Sequence, residues 1–242
     1  MRGLFSRKKS FIQSGLLKDA VDNHSHILPG VDDGVRTLGE SLEILAFLEE
    51  CGLSALWFTP HIMEDVANTT ENLRQRFDAL REAYQGPLQL HLAAEYMMDN
   101  LFEERLEAGD LLYHGDDRVL VETSTLFPPI GFWDIIDRMM RKGYLPLLAH
   151  PERYRYMEKR DYEKLRSLGV LFQLNIPSLV GAYGEGVQAK ALWLLEKGMY
   201  AMAGSDCHRS KSIRKWYADP VLKKDTVGKL RPLMAGLPET AE

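Results

Sequence analysis

The chain has 242 residues, 45% of them hydrophobic, and a formal net charge of −5. That is enough apolar material for one sizeable core, and single α/β barrels commonly have this length. A mildly acidic chain lacks the Lys and Arg excess that nonspecific nucleic-acid binding needs, and two cysteines, Cys51 and Cys207, make neither a spaced zinc-finger pair nor a disulfide scaffold.

The chain opens on a basic cluster, Arg2, Arg7, Lys8 and Lys9, with no apolar run behind it. Residues 1–15 therefore read as a solvated basic tail and not as a secretory signal, which leaves 16–242 as one catalytic domain. Residues 19–24 read as a strand. Residues 38–51 repeat apolar positions at threes and fours, as a helix does; Thr37 and Glu40 resemble a capping box and Gly52 a helix stop. LSALWFTPH (53–61) is a strand, 70–85 a charged helix and QLHLAAEY (89–96) a third strand. RVLVET (118–123) is a strand, 131–143 a helix, 144–150 a strand, 161–169 a helix and 170–175 a strand. A helix over 187–198 and a strand over 199–206 follow, and part of the chain after 217 is helical.

Seven strands alternate with helices and no linker divides them. This predicts parallel strands with right-handed crossovers, closed as a distorted (β/α)7 TIM-like barrel. No run reaches about 18 apolar residues, so no transmembrane helix is expected, and a reducing cytoplasm fits the cysteine usage.

Residues 22–34 read D-N-H-S-H-I-L-P-G-V-D-D-G. In a strand, residues i and i+2 share a face, so His24 and His26 can grip one ion. Asp206 and His208 repeat that spacing in G-S-D-C-H. The Gly- and Pro-rich loop can curl Asp33 back to the same place, with Asp32 left to cap the turn. His61 closes the second strand, Glu95 the third, Glu122 the fourth and His150 the fifth. Parallel barrels gather their chemistry at the carboxyl ends of the strands, so nine scattered residues converge: His24, His26, Asp33, His61, Glu95, Glu122, His150, Asp206 and His208. At four to six ligands per ion, they suffice for two or three divalent ions. Imidazole and carboxylate without thiolate suit Mn, Fe or Zn. His91 and His114 have no carboxylate beside them and read as ordinary surface or core histidines; Cys207 reads as packing.

Neighbouring divalent ions generate hydroxide near neutral pH and clamp the oxygens of a transferring phosphoryl group. Arginine neutralises the charge that develops. Arg153, three residues after His150, is well placed for this, and Arg209 and Arg214 are further candidates. Phosphate-ester hydrolysis is the chemistry these residues imply. Phe127, Phe132, Trp133, Tyr154 and Tyr156, near the expected mouth, are open to either of two uses: stacking on a substrate ring or core packing.

H-S-H-I-L-P-G-V-D-D-G, T-P-H, A-H-P-E-R and G-S-D-x-H, in this order, resemble the PHP (polymerase and histidinol phosphatase) superfamily. More narrowly, they resemble its bacterial capsule and exopolysaccharide protein-tyrosine phosphatases, the CpsB/CapC/YwqE type, over about residues 19–215. The resemblance implies the PHP barrel, a manganese-dependent cluster held by the nine residues above, and Arg153 on the phosphate. It implies hydrolysis of phosphotyrosine on the C-terminal tail of a bacterial tyrosine kinase that controls capsule or exopolysaccharide synthesis. Asp206 or His208 would serve as the acid for the leaving oxygen. Related branches often carry histidine where Asp33 stands.

Four rival readings remain weaker. The cysteine phosphatase signature C-x5-R is absent: Trp57 follows Cys51 and Ile213 follows Cys207 at that spacing. A histidinol-phosphate or other small-molecule phosphoesterase of the same superfamily is the main alternative. An amidohydrolase also opens on H-x-H but often puts a lysine where Glu122 lies. A catalytically silent PHP-fold binding module would have lost ligands, and none of the nine is missing.

Overall fold

Each expected apolar run becomes a stave of a curled parallel sheet in the computed structural model, which describes residues 8–219 and 221–235. β1 (Val21–Asp22) pairs with β2 (Ala55–Phe58), and β2 with β4 (Gln89–Leu92). A second sheet runs β3 (His61–Ile62), β5 (Glu95–Met97), β6 (Arg118–Glu122), β7 (Leu145–Ala149), β8 (Leu171–Asn175) and β9 (Met202–Gly204). Every pairing is parallel.

Two of the seven expected strands are therefore broken. β2 and β3 are halves of one stave, separated at Thr59–Pro60. β4 and β5 are halves of the next, separated at Ala93–Ala94. Pro60 has no N–H to give to a ladder, so regular pairing stops there. Single bonds still span the breaks: Ala93 N–H donates to Phe58 O at 2.8 Å and Glu95 N–H to Pro60 O at 3.1 Å. At the seam, Asp206 N–H donates to His24 O and His26 N–H to Cys207 O, both at 2.9 Å. The chain just past β9 is thus bonded to the chain just past β1.

The helices cover the outside. α2 (Leu38–Cys51) is capped by the Thr37 hydroxyl, which accepts from Glu40 N–H, and stops at Gly52 with φ 90°. Its buried Ile44, Leu45 and Leu48 share one stripe. α3 (Thr70–Ala83), α5 (Phe132–Arg141), α6 (Lys159–Ser167), α8 (Glu185–Glu196) and α10 (Lys224–Leu233) follow the expected runs. α4 (Asn100–Ala108), α7 (Ile176–Leu179) and α9 (Ser210–Ala218) were not expected. Leu120, Leu147, Ala149 and Met202 form a small separate apolar cluster with Leu171, contributed by β6, β7, β8 and β9. No helix among the described residues is long and apolar enough to cross a membrane.

The expected tail behaves differently from residue 8 onward. α1 (Phe11–Ser14) has a full capping box between Ser10 and Gln13 and ends at Gly15. Phe11 is fully buried and stacks on Tyr217 of α9, with ring centroids 5.6 Å apart. Lys9 bridges to Leu222. Residues 1–7 of the same expectation, with Arg2 and Arg7, lie outside the described residues.

Candidate metal centre

The register of the sheet assembles the centre. His61 on β3 lies beside Glu95 on β5, and Glu122 ends the next strand. Glu95 is fully buried. Its Oε2 lies 3.3 Å from His24 Nε2, 3.2 Å from His26 Nε2 and 3.2 Å from His61 Nδ1. Its Oε1 lies 3.0 Å from His150 Nε2. Glu122 reaches His61 Nδ1 at 3.2 Å and His150 Nε2 at 3.6 Å. Asp206 Oδ1 stands 3.6 and 3.5 Å from the Nε2 atoms of His24 and His26. Asp33, with its side chain 73% exposed, meets His208 Nε2 at 3.3 Å and His61 Nε2 at 3.7 Å at the rim. All nine residues named from the sequence are thus brought together.

Two of them hold unusual backbone. His150 has φ 33° and Asp206 φ 50°, in the left-handed region that non-glycine residues avoid. The kink at His150 has a use. Leu147 and Ala149 share one face of β7, so simple alternation would send the next side chain to the opposite face. Two glycines clear space. A Cβ on Gly204 would fall 2.3 Å from the Cβ of His24, and one on Gly34 would fall 1.9 Å from His26 O.

Neighbouring groups fix the tautomers. Gln173 gives its amide to Asn23 O, so its Oε1, 2.5 Å away, accepts from His24 Nδ1. Asp32 Oδ2 accepts from His26 Nδ1 at 2.8 Å. Both Nε2 atoms then present lone pairs, and they face each other at 3.0 Å. Two lone pairs at that distance repel unless a cation lies among them. Glu95 Oε2 is buried and takes no hydrogen bond, with three imidazole nitrogens around it. A cation satisfies both features. The donors form three overlapping groups: His24, His26 and Asp206; His61, Glu95 and Glu122; and His26, Asp33, His61 and His208. This arrangement fits two or three ions sharing ligands.

Electrostatics agree with that fit. Burial works against charge on His26, but Asp32 and Glu95 beside it outweigh burial and hold its pKa well above the ordinary imidazole value. Burial would likewise raise the carboxyls of Asp32 and Asp206. The His26 imidazole brings Asp32 to about 2, and His24, His26, His150 and His208 bring Asp206 to about 2. The centre therefore holds ionised carboxylates beside basic nitrogens.

The sequence reading assigned Asp32 to the turn. It does accept from Gly34 N–H at 2.9 Å, but it also takes His61 N–H and orients His26. Gln173 and Asn175 were missed; Asn175 donates to Asp206 Oδ2 at 2.7 Å. Their signal was two polar residues at i and i+2 in an otherwise apolar strand. The arginines separate. Arg153 donates to Asp206 Oδ2 at 3.1 Å and lies 4.6 Å over the Tyr183 ring, beside the centre. Arg209 donates to Gly34 O and, at 2.6 Å, to His208 O, tying the loop that carries Asp33. Arg214 corrects an expectation: it pairs with Glu43 at 3.3 Å and lies over Phe47, both on α2, and so is turned to the helix layer. Cys207 is buried, as expected. His114 is buried too and His91 half-buried, and both stack on one ring, Trp57, with centroids 4.0 and 4.7 Å away. Of the five aromatic candidates, Phe132 and Tyr154 are core and Trp133 and Tyr156 are half-buried, while Phe127 is 72% exposed on the loop after β6.

A curled parallel sheet with imidazoles and carboxylates gathered at the strand ends defines an α/β barrel with a metal-hydrolase type of centre. The model of the family "Capsular polysaccharide synthesis, CpsB/CapC" matches residues 20–223, and the chain belongs to that family. It is 28% identical over 199 residues to the tyrosine-protein phosphatase YwqE of Bacillus subtilis, covering 79% of this chain and 78% of the relative. To the tyrosine-protein phosphatase CpsB of Streptococcus pneumoniae it is 27% identical over 206 residues, covering 79% and 84%. A solved structure from work on YwqE and CpsB, described as metal-dependent tyrosine phosphatases, superposes with a TM-score of 0.73 at 25% identity. It covers 91% of this chain and 100% of the other.

Proposed function

We propose that this chain is a metal-dependent protein-tyrosine phosphatase acting in capsule or exopolysaccharide synthesis, with residues 16–242 as its catalytic domain and α1 packed against it through Phe11. The observation that carries the reading is the gathering of nine imidazole and carboxylate residues at the strand ends, four of the imidazoles directly on Glu95, with the Arg153 guanidinium alongside. His24, His26, Asp33, His61, Glu95, Glu122, His150, Asp206 and His208 would hold two or three divalent ions. Manganese is our assignment; iron and zinc suit the same donors. Such ions, when bound, supply a nucleophile at neutral pH and polarise the phosphoryl group.

The chain's own residues do the rest. Arg153, positioned by Asp206 and Tyr183, binds two phosphate oxygens and offsets the charge gained as the ester bond breaks. Arg209 keeps the Asp33 loop closed over the rim. Asp206 is already engaged on both oxygens, so it holds charge and geometry and does not donate a proton. His208, at the rim with a side chain 28% exposed, gives Nδ1–H to Asp206 O at 2.9 Å, which turns Nε2 toward Asp33. The departing tyrosine oxygen, a phenol that leaves readily, takes its proton from water. The substrate is the phosphorylated C-terminal tail of a bacterial tyrosine kinase, met in the cytoplasm. The family assignment supports the capsule pathway.

Phosphate release from a phosphotyrosine peptide tests this. Metal-stripped chain is assayed with and without added Mn, beside its His150→Ala variant and with histidinol phosphate as competitor. Turnover that needs metal and drops at least a thousandfold in the variant is expected. Faster release from histidinol phosphate would move the chain to small-molecule chemistry, and metal binding without turnover would make it a binding module.

A further inference from the structure

Beside the metal centre lies a second cavity, of about 350 Å3, that the chemistry above does not use. Arg153 is a shared wall: its guanidinium bonds Asp206 of the centre and also lines this space. Arg155 and Lys190 line it as well, with Tyr183 and the first turn of α8 at Gly186. Tyr154, between the two arginines, is extended, with φ −75° and ψ 113°. Arg153 closes the 3-10 turn Pro151–Arg153 and Arg155 lies in the turn that follows, and both line this one space.

The charge balance of this space is positive. Glu152 is the one acid in its lining, and it is 99% buried with its carboxylate facing inward: Oε1 accepts from Asn175 N–H and Oε2 from the Tyr200 hydroxyl, both at 3.0 Å. Lys190 gives its ammonium to the carbonyl of Tyr154 at 2.5 Å and, though the buried Glu152 charge is near enough to act on it, makes no ion pair among the described residues. Arg155 is exposed, and its guanidinium makes no ion pair among the described residues. Its backbone N–H is fixed at 2.8 Å to Thr125 O, in the loop that follows Glu122. Arg155 and Lys190, which make no ion pair among the described residues, thus stand with Arg153, itself paired with Asp206, around a cavity one arginine away from the reacting phosphate.

We infer that this cavity is a specificity subsite for a second anionic group of the peptide substrate, a carboxylate or another phosphorylated residue close to the phosphotyrosine. The inference rests on the phosphatase reading and deepens it: the preferred substrate is an acidic peptide. Arg155 is the residue that discriminates, since it is exposed to an incoming side chain and is not engaged by the metal centre.

The test is kcat/KM for a series of phosphotyrosine peptides. One set has alanine on both sides, one moves a single glutamate through the three positions before and after the tyrosine, and one has a second phosphotyrosine there. Each is measured on Mn-loaded wild type, Arg155→Ala and Arg155→Lys. The acidic-to-neutral ratio is taken within each protein, so changes in overall activity cancel. We expect wild type to favour the best acidic peptide by about five- to tenfold, as charge-assisted contacts at a partly exposed site allow. The ratio should fall towards one in Arg155→Ala, return in part in Arg155→Lys, and shrink with added salt. Binding of a labelled, non-hydrolysable phosphonate peptide, read by anisotropy, should show the same ratio. The glutamate and phosphotyrosine arms decide which anion the cavity prefers. A ratio near one in wild type, or one that Arg155→Ala leaves intact, overturns the subsite while the phosphatase reading stands. No turnover of any peptide overturns both.

Discussion

Asp32 shows how one side chain can set the state of a centre it does not join. It touches none of the donor groups from the front; it holds His26 from behind through Nδ1 at 2.8 Å. That bond keeps the proton on Nδ1 and leaves Nε2 bare toward Glu95 and Asp206. A carboxylate behind a metal-binding imidazole also raises its basicity. Asp32→Asn keeps the shape but removes the charge, and the amide is free to present N–H to Nδ1 and invert the tautomer. Metal affinity should drop about 10- to 100-fold, measured by calorimetric titration of the stripped protein, with kcat/KM falling alongside. Wild-type affinity in that variant would mean that His26 needs no such partner. From the sequence, D-D in a Gly-rich loop offered two carboxylates and no way to rank both as useful: one had to be buried behind the histidine and one exposed before it. Alternation along a strand says nothing about such a loop.

At the scale of elements, apolar periodicity located the staves and most helices because each pattern reports which face is buried. The breaks within the second and third staves were less visible. Pro60 was in plain sight, but T-P-H was absorbed into the strand because its histidine lay where a strand end was wanted. Ala93–Ala94 carries no turn residue at all. α9 was less legible because S-K-S-I-R-K-W-Y-A is crowded with charge at Lys211, Arg214 and Lys215, although Ile213 and Tyr217, four apart, form a buried stripe. α1 had its signals too: Ser10 and Gln13 at capping-box spacing and Gly15 after them. The surrounding basic residues outweighed them. If α1 is an integral part of the domain, Phe11→Ala leaves a cavity against Tyr217 and costs about 3 kcal/mol. Urea unfolding should show that loss, while metal affinity at low temperature stays at the wild-type value. An unchanged unfolding midpoint would make α1 a loosely laid segment.

At the scale of the whole molecule, the barrel was legible because the strand ends and the chemistry coincide. Six of the seven apolar runs deliver a histidine or carboxylate at one end, and a parallel sheet curled into a barrel brings those ends to one mouth. What the sequence did not show is the cost of closing it around so many polar groups, and His114 is a case in point. It is buried, stacked on Trp57, and donates Nε2–H to Asn23 O at 3.1 Å. Burial first, and Arg118 nearby, push its pKa down to about 3, against 6.5 in an open chain. A folded-state pKa below the unfolded one means that the unfolded chain binds the extra proton. Stability from this group is therefore complete above pH 6.5 and is lost as pH falls from 6.5 toward 3. The loss is about 1.4 kcal/mol per pH unit. Asp22, raised by burial to about 6, acts in the opposite direction over part of that window, because there the folded chain holds the proton. The His114 contribution is thus read as a difference between wild type and His114→Gln, whose amide can still donate to Asn23 O. Urea unfolding at half-unit steps from pH 7 to 4 should show the wild type losing ground to the variant by about 1.4 kcal/mol per unit below 6. Parallel curves for the two proteins would show that the imidazole finds water, or a counter-charge, inside the fold.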